Sequence, residues 1–120
     1  MEPKQIAINF LQEIVKGNFD YAYDTYVDMK GTHHNVYTKS GFAQLKQGMQ
    51  ENDAKFPNKI FEIKKVFADA NMVATHSHVK MGEQDISVVH MFRIKNEKIV
   101  EMWDCGQALP KDAINKDGAF

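Results

Sequence analysis

The sequence predicts an α+β domain. Up to about Phe56 apolar residues return every three or four positions, whereas from Ile60 onward they return at every second position. Short turn sequences then divide the second half at hairpin spacing, so helices come first and an antiparallel meander follows.

The first helix is predicted from Pro3 to the stop at Gly17. Its stripe is Ile6, Phe10 and Ile14 with Ala7, Leu11 and Val15 beside them. Asn18 is placed to cap a second helix in which Phe19, Ala22, Tyr23 and Tyr26 share a face, ending near Asp28 to Gly31. A polar stretch with His33, His34 and Asn35 follows. Ser40 then caps a third helix carrying Phe42, Leu45 and Met49 on one side, and Phe56, Pro57 and Asn58 end it.

In the second half, Phe61, Ile63 and Phe67 mark the first strand, with three more over roughly Met72 to Lys80, Asp85 to Lys95 and Lys98 to Cys105. Asp69-Ala70-Asn71 and Met81-Gly82-Glu83 are the turns between them. The tail from Leu109 to Phe120 is expected to be irregular. With 120 residues, one domain spanning 1–120 is expected.

Composition narrows the function classes. Hydrophobic residues make up 43% and charged residues 26%, the balance of a folded soluble protein. A net charge of -1 with Lys, Glu and Asp intermixed offers no basic stripe, so no nucleic-acid partner is expected. No apolar run approaches the roughly 20 residues that cross a bilayer. The charged, proline-bearing start lacks an apolar signal core, so a cytoplasmic address without membrane association is expected. Cys105 has no possible intrachain partner and is expected to be a small buried hydrophobe.

Chemistry concentrates in the last hairpin, where register decides which side chains meet. A two-residue turn at Asn96-Glu97 sets Phe92 opposite Glu101. A three-residue loop over Asn96 to Lys98 instead sets Arg93 opposite Glu101 as an ion pair and Phe92 opposite Met102, and is preferred. One face then carries Val88, His90, Phe92 and Ile94 against Val100, Met102 and Asp104. The other carries Val89, Met91 and Arg93 against Glu101, Trp103 and Cys105.

His90 thus meets Asp104 on an otherwise apolar face. The carboxylate favours the imidazolium and burial opposes it, which is the outline of a general acid/base pair. The competing reading is a buried His–Asp hydrogen bond that only closes the core. On the second strand Ala74, His76, His78 and Lys80 share a face, and His76 is expected in the pocket wall. His34 stands in a loop, a common home of functional groups. No metal-ligand spacing, nucleophile motif or phosphate-cradling glycine loop occurs, so neither metal nor cofactor is expected. Val89, Met91, Ile99 and Trp103 would form an exposed apolar patch on the outer face, for which a second copy of the chain is the simplest cover and the tail the alternative.

The run Lys98-Ile-Val-Glu-Met-Trp-Asp-Cys-Gly-Gln-Ala-Leu-Pro110, preceded by Met91-Phe-Arg93, resembles the C-terminal signature of SnoaL-like proteins of the NTF2-like superfamily. His34-Asn35 resembles the family's His-Asn-Pro, and Val73-Ala-Thr-His-Ser-His-Val79 its second strand. The resemblance implies a cone of three N-terminal helices on a curved antiparallel sheet of about four to six strands, commonly dimeric. It also implies a pocket that in some relatives cyclises polyketides by aldol chemistry, without a cofactor. Two positions depart from the pattern: His90 stands where relatives often have Asp, and Met102 where they have His before Trp-Asp.

The expectation is a small-molecule pocket protein, a cofactor-independent acid/base enzyme of aldol cyclase, isomerase or dehydratase type acting on a small apolar carbonyl compound. Asp104 and His90 would exchange the proton, while His34, His76, Tyr23 and Tyr26 orient the substrate beside Phe92 and Met102. Arg93, Glu101 and Trp103 would be structural or at the dimer interface. The alternative is a ligand-binding or dimerisation module without turnover.

Overall fold

Pro3 lacks an amide hydrogen that the first helical turn would leave unpaired anyway, and the chain enters helix α1 (Pro3–Val15) there. In the computed structural model, which describes residues 1–120, α1 buries Ile6, Ala7, Phe10, Leu11 and Ile14, the stripe read from the sequence. Gly17, at φ 85°, reverses the chain at its end. Helix α2 (Phe19–Tyr26) turns Phe19, Ala22, Tyr23 and Tyr26 inward.

Helix α2 stops earlier than expected. Val27 is already extended at φ -119°, and Val27–His33, read from the sequence as helix end and polar loop, forms strand β1. Tertiary pairing wins here, because β1 finds a partner edge in a strand about 70 residues away, which no local pattern signals. Helix α3 (Phe42–Lys55) begins one position later than predicted, with Gly41 rather than Ser40 at its cap, and buries Phe42 and Leu45.

Strands β2 (Ile60–Asp69), β3 (Met72–Met81), β4 (Gln84–Lys95) and β5 (Lys98–Ala108) form the expected antiparallel meander. The sheet order is β1-β5-β4-β3-β2, and β1 joins its edge in parallel to β5. The sheet is therefore mixed, with one parallel edge strand on an antiparallel body. Gly31 permits that edge: a Cβ there would collide with the Val100 carbonyl and with the Phe42 ring.

The last hairpin has the expected pairs by another route. Arg93 faces Glu101, Phe92 faces Met102 and His90 faces Asp104. The turn itself is two residues, Asn96 and Glu97, both left-handed at φ 51° and 62°, and pairing resumes with Lys95–Lys98 and Ile94–Ile99. Val100 is the extra residue of a bulge that restores the register. One consequence corrects the outer-face assignment: Ile99 turns inward and is fully buried.

The three helices pack on one face of this five-stranded sheet, and Phe10, Tyr23, Phe42, Phe92, Ile99 and Met102 meet in one hydrophobic core. Edge-on ring contacts run through it, from Phe10 to Tyr23 at 5.3 Å and to Phe92 at 6.2 Å between centroids. No helix is long and apolar enough to cross a membrane. After Ala108 the tail has no helix or strand, as expected, but its end is not loose: Phe120 lies on the outer face against His76 and His78, with ring centroids 5.1 and 4.7 Å apart. Cys105 is exposed, not buried, because it points to the outer face opposite Val89, the side of the sheet that no helix covers.

Candidate functional site

Between the sheet's inner face and the helices lies a cavity of about 310 Å³. The end of α1 closes one side with Leu11, Ile14 and Val15, α3 another with Leu45 and Met49, and the loop after β1 a third with Asn35, Tyr37 and Thr38. The sheet contributes Phe61, Val79, Val88, His90 and Asp104. A mostly apolar wall with a few convergent polar groups is the usual make-up of a small-molecule site, and this volume lies at the small end of the range. A larger groove of about 1120 Å³ runs between the tail and the β3–β4 turn, lined largely by charged and polar surface residues such as Lys80, Glu83 and Lys111. It contains no buried acid/base pair, so the chemistry points to the smaller cavity.

His90 and Asp104 are register partners on the cavity wall and are not hydrogen-bonded to each other. Asp104 accepts a hydrogen bond from the Asn35 side-chain amide at 2.8 Å. His90 is 7% exposed, and burial among apolar groups pushes its imidazole down to about 4, with the Asp104 charge pulling the other way. At neutral pH the ring is therefore neutral and carries one lone pair. The buried His–Asp hydrogen bond that would merely close the core is absent.

The other sequence-predicted residues lie elsewhere. His34 is on the outer face, stacked on Trp103 at 5.1 Å and bonded through Nε2 to Glu101 at 2.6 Å. The loop after β1 turns it away from the cavity while its neighbour Asn35 turns in. His76 also points outward, its Nε2 2.7 Å from the Ser87 hydroxyl, because the inner face of β3 is Val73, Thr75, Ser77 and Val79. His78 shares that outer face and meets Asp85 at 2.8 Å.

Tyr23 is fully buried behind the cavity, its hydroxyl donating to Met49 Sδ at 3.2 Å, and burial raises its phenol above the ordinary range. Tyr26 sits at the opposite end of α2's buried face, edge-on to Tyr21. Phe92 and Met102 belong to the core and do not line the cavity. Of the eight residues expected at the pocket, His90 and Asp104 reach it.

Arg93 and Glu101 form the expected ion pair on the outer face, where Glu101 also takes the His34 bond. Both partners hold its carboxyl below the usual carboxylate range, Arg93 more strongly. Asn35 is a polar site group that the sequence did not single out; its signal there was its place in the His34-Asn35 pair that resembles the family's His-Asn-Pro. Nowhere do three His, Cys, Asp or Glu side chains converge as a metal would need.

The profile of the SnoaL-like domain matches residues 7–102. Among curated proteins nothing matches. Solved structures with the same fold include a SnoaL-like polyketide cyclase from Agrobacterium tumefaciens, at 16% identity and TM-score 0.76, covering 89% of this chain and 92% of that one. An NTF2-like protein from Cytophaga hutchinsonii aligns at 13% identity and TM-score 0.75 over 89% of this chain and 91% of its own. A cystatin-fold protein from Novosphingobium aromaticivorans aligns at 17% identity and TM-score 0.76 over 88% and 98%. At these identities the likeness is one of fold, whereas the profile covers most of the chain: the protein belongs to the SnoaL-like domain family.

Proposed function

We propose that this protein is a cofactor-independent acid/base enzyme that moves a proton on a small, largely apolar carbonyl compound, in the manner of an aldol cyclase, isomerase or dehydratase. The observation that carries the reading is a neutral buried imidazole facing a carboxylate on the wall of an apolar cavity. Neutral His90 accepts a proton from the carbon beside the carbonyl. Asp104, held by Asn35, stabilises the imidazolium that forms. The enolate created in the same step adds a second negative charge beside the ring, which offsets the penalty that burial places on the protonated form. Thr38, on the cavity's loop side, would orient the carbonyl oxygen, the role expected of His34, His76, Tyr23 and Tyr26; Tyr37 beside it is 95% exposed and stands at the rim.

The SnoaL-like polyketide cyclase from Agrobacterium tumefaciens, with the same fold, supports the cyclase variant. Hydrogen–deuterium exchange next to the carbonyl, followed by NMR on a panel of small ketones and 1,3-dicarbonyls in heavy water, tests it. Exchange should be catalysed by the wild type and lost in Asp104→Asn and His90→Gln. Undiminished exchange in both variants would sink the mechanism, and compounds that bind without exchanging would point instead to a binding module without turnover.

The proposal includes a homodimer through the outer sheet face. Phe67, Val89 and Met91 are exposed there, around the Trp103–His34 stack. Sedimentation should give a dimer that Met91→Asp converts to monomer; a monomeric wild type would exclude it.

A further inference from the structure

Three polar side-chain atoms on the inner face are buried and have no hydrogen-bond partner in the protein: Thr75 Oγ1, Ser77 Oγ and His90 Nδ1. They are neighbours. Thr75 is the cross-strand partner of His90, and Ser77, two residues along β3, pairs with Val88, two residues along β4. Thr75 is 1% exposed and Ser77 0%. Leaving a buried hydroxyl or ring nitrogen unbonded costs about 1–3 kcal/mol, and three such groups side by side are not explained by packing.

The two nitrogens of His90 have different surroundings. Nδ1 is the enclosed one, and Nε2, which is not enclosed and makes no bond to the protein, is the nitrogen with access to the cavity that His90 lines. Side chains directly opposite on paired strands have Cβ atoms about 4.5–5.5 Å apart, and no direct bond joins Thr75 to His90. A water needs two to four polar partners to be held inside a protein, and these three atoms supply that number.

From this placement we infer that Thr75 and Ser77 are positioning residues for His90, holding its Nδ1 proton through one enclosed water so that the Nε2 lone pair faces the cavity. Nδ1–H donates to the water oxygen, and the water's two hydrogens go to Thr75 Oγ1 and Ser77 Oγ. The imidazole is then locked in the one neutral tautomer that can accept a proton from a ligand at Nε2. The inference gives a mechanism to the role of His90 in the proposed reaction and rests on that reading for its function, although the tautomer can be measured without any substrate.

The test is imidazole ¹⁵N NMR on the free protein at neutral pH. His90 should be in the Nδ1–H tautomer, and Thr75→Val combined with Ser77→Ala should lower the ratio of Nδ1–H to Nε2–H by about fivefold or more, the effect of losing one ordinary hydrogen bond. Thr75→Ser, which keeps the hydroxyl, should restore the wild-type ratio. Should the double variant not fold, Thr75→Val alone against Thr75→Ser gives the same comparison with one nearly isosteric change. A wild-type ring in the Nε2–H form, or a ratio unmoved by removal of the hydroxyls, would overturn the assignment. If carbonyl exchange fails while the tautomer responds, the proposed reaction falls and the positioning relay stands.

Discussion

On the outer face of the β4–β5 hairpin, the charged groups answer one another: Arg93 and His34 both bond Glu101, and Trp103 covers the imidazole. On the inner face of the same hairpin, His90 is buried with one nitrogen enclosed and unbonded, and it faces a carboxylate that bonds Asn35 instead. The two faces have histidine and acid in common and differ in satisfaction. Outside, water and flexible partners make any pairing cheap, so polar groups settle into pairs of small consequence. Inside, an unanswered polar group persists only at a cost, and such groups mark a place shaped by something other than packing.

That contrast can be broken most directly through chemistry. Asp104→Asn or His90→Gln should lower carbonyl proton exchange by about 10²–10⁴-fold, the usual weight of a general acid or base, while Arg93→Gln on the outer face leaves the rate unchanged. Equal losses from both faces, read by the same NMR exchange assay, would erase the distinction.

Packing provides a second comparison between adjacent residues. Phe92→Ala removes a fully buried ring and should cost about 3–5 kcal/mol in urea unfolding. Its neighbour Met91, which is exposed, should tolerate Met91→Ser within about 0.5 kcal/mol at concentrations where the protein is monomeric.

The pH dependence of stability sharpens the inner side further. The folded protein holds His90 at about 4, below its ordinary 6.5, so the unfolded chain binds the proton more readily. Stability is then full above about 6.5 and is lost as the pH falls toward 4. The full effect is on the order of 3 kcal/mol. Denaturant midpoints measured from pH 7 to 4 should fall for the wild type, and His90→Gln should flatten that part of the curve. Asp104→Asn removes the charge that favours the imidazolium and should move the His90 titration lower still.

The smallest effect is expected outside. A ¹³C titration should find the Glu101 carboxyl below the usual range, and Arg93→Gln should move it upward, since Arg93 is the larger of its two causes. No shift in that variant would mean that the outer pair is not formed in solution.

Much of the architecture was legible because its signals are local. Stripes such as Ile6-Phe10-Ile14 need only the helical repeat, and the alternation of Val73, Thr75, Ser77 and Val79 needs only the pleat. The His90–Asp104 pairing was also readable, since a hairpin's register depends on few neighbouring residues, although a two-residue turn with a bulge at Val100 stands in place of the longer loop. Strand β1 was not readable, because Val27–His33 owes its extended form to a parallel partner at the far end of the chain.

The rest of the pocket depended on similar long-range facts. A period of two divides a strand into two faces without saying which one the helices cover, so His76 and His78 were as eligible for the inside as Thr75 and Ser77. Only the seating of the helices on the sheet decided it. By itself the sequence determined which pairs oppose across the hairpin and which side chains travel together between bulges, because those follow from covalent geometry and nearby hydrogen bonds. The bulge in β2 after Ile63 sends Phe67 to the outer face, away from Phe61 and Ile63 with which the sequence grouped it, and the one at Val100 turns Ile99 inward. Which set meets the cavity, that Asn35 rather than His34 turns toward Asp104, and that three polar atoms lie enclosed behind the wall were decided by tertiary structure, because burial is a property of how distant segments pack.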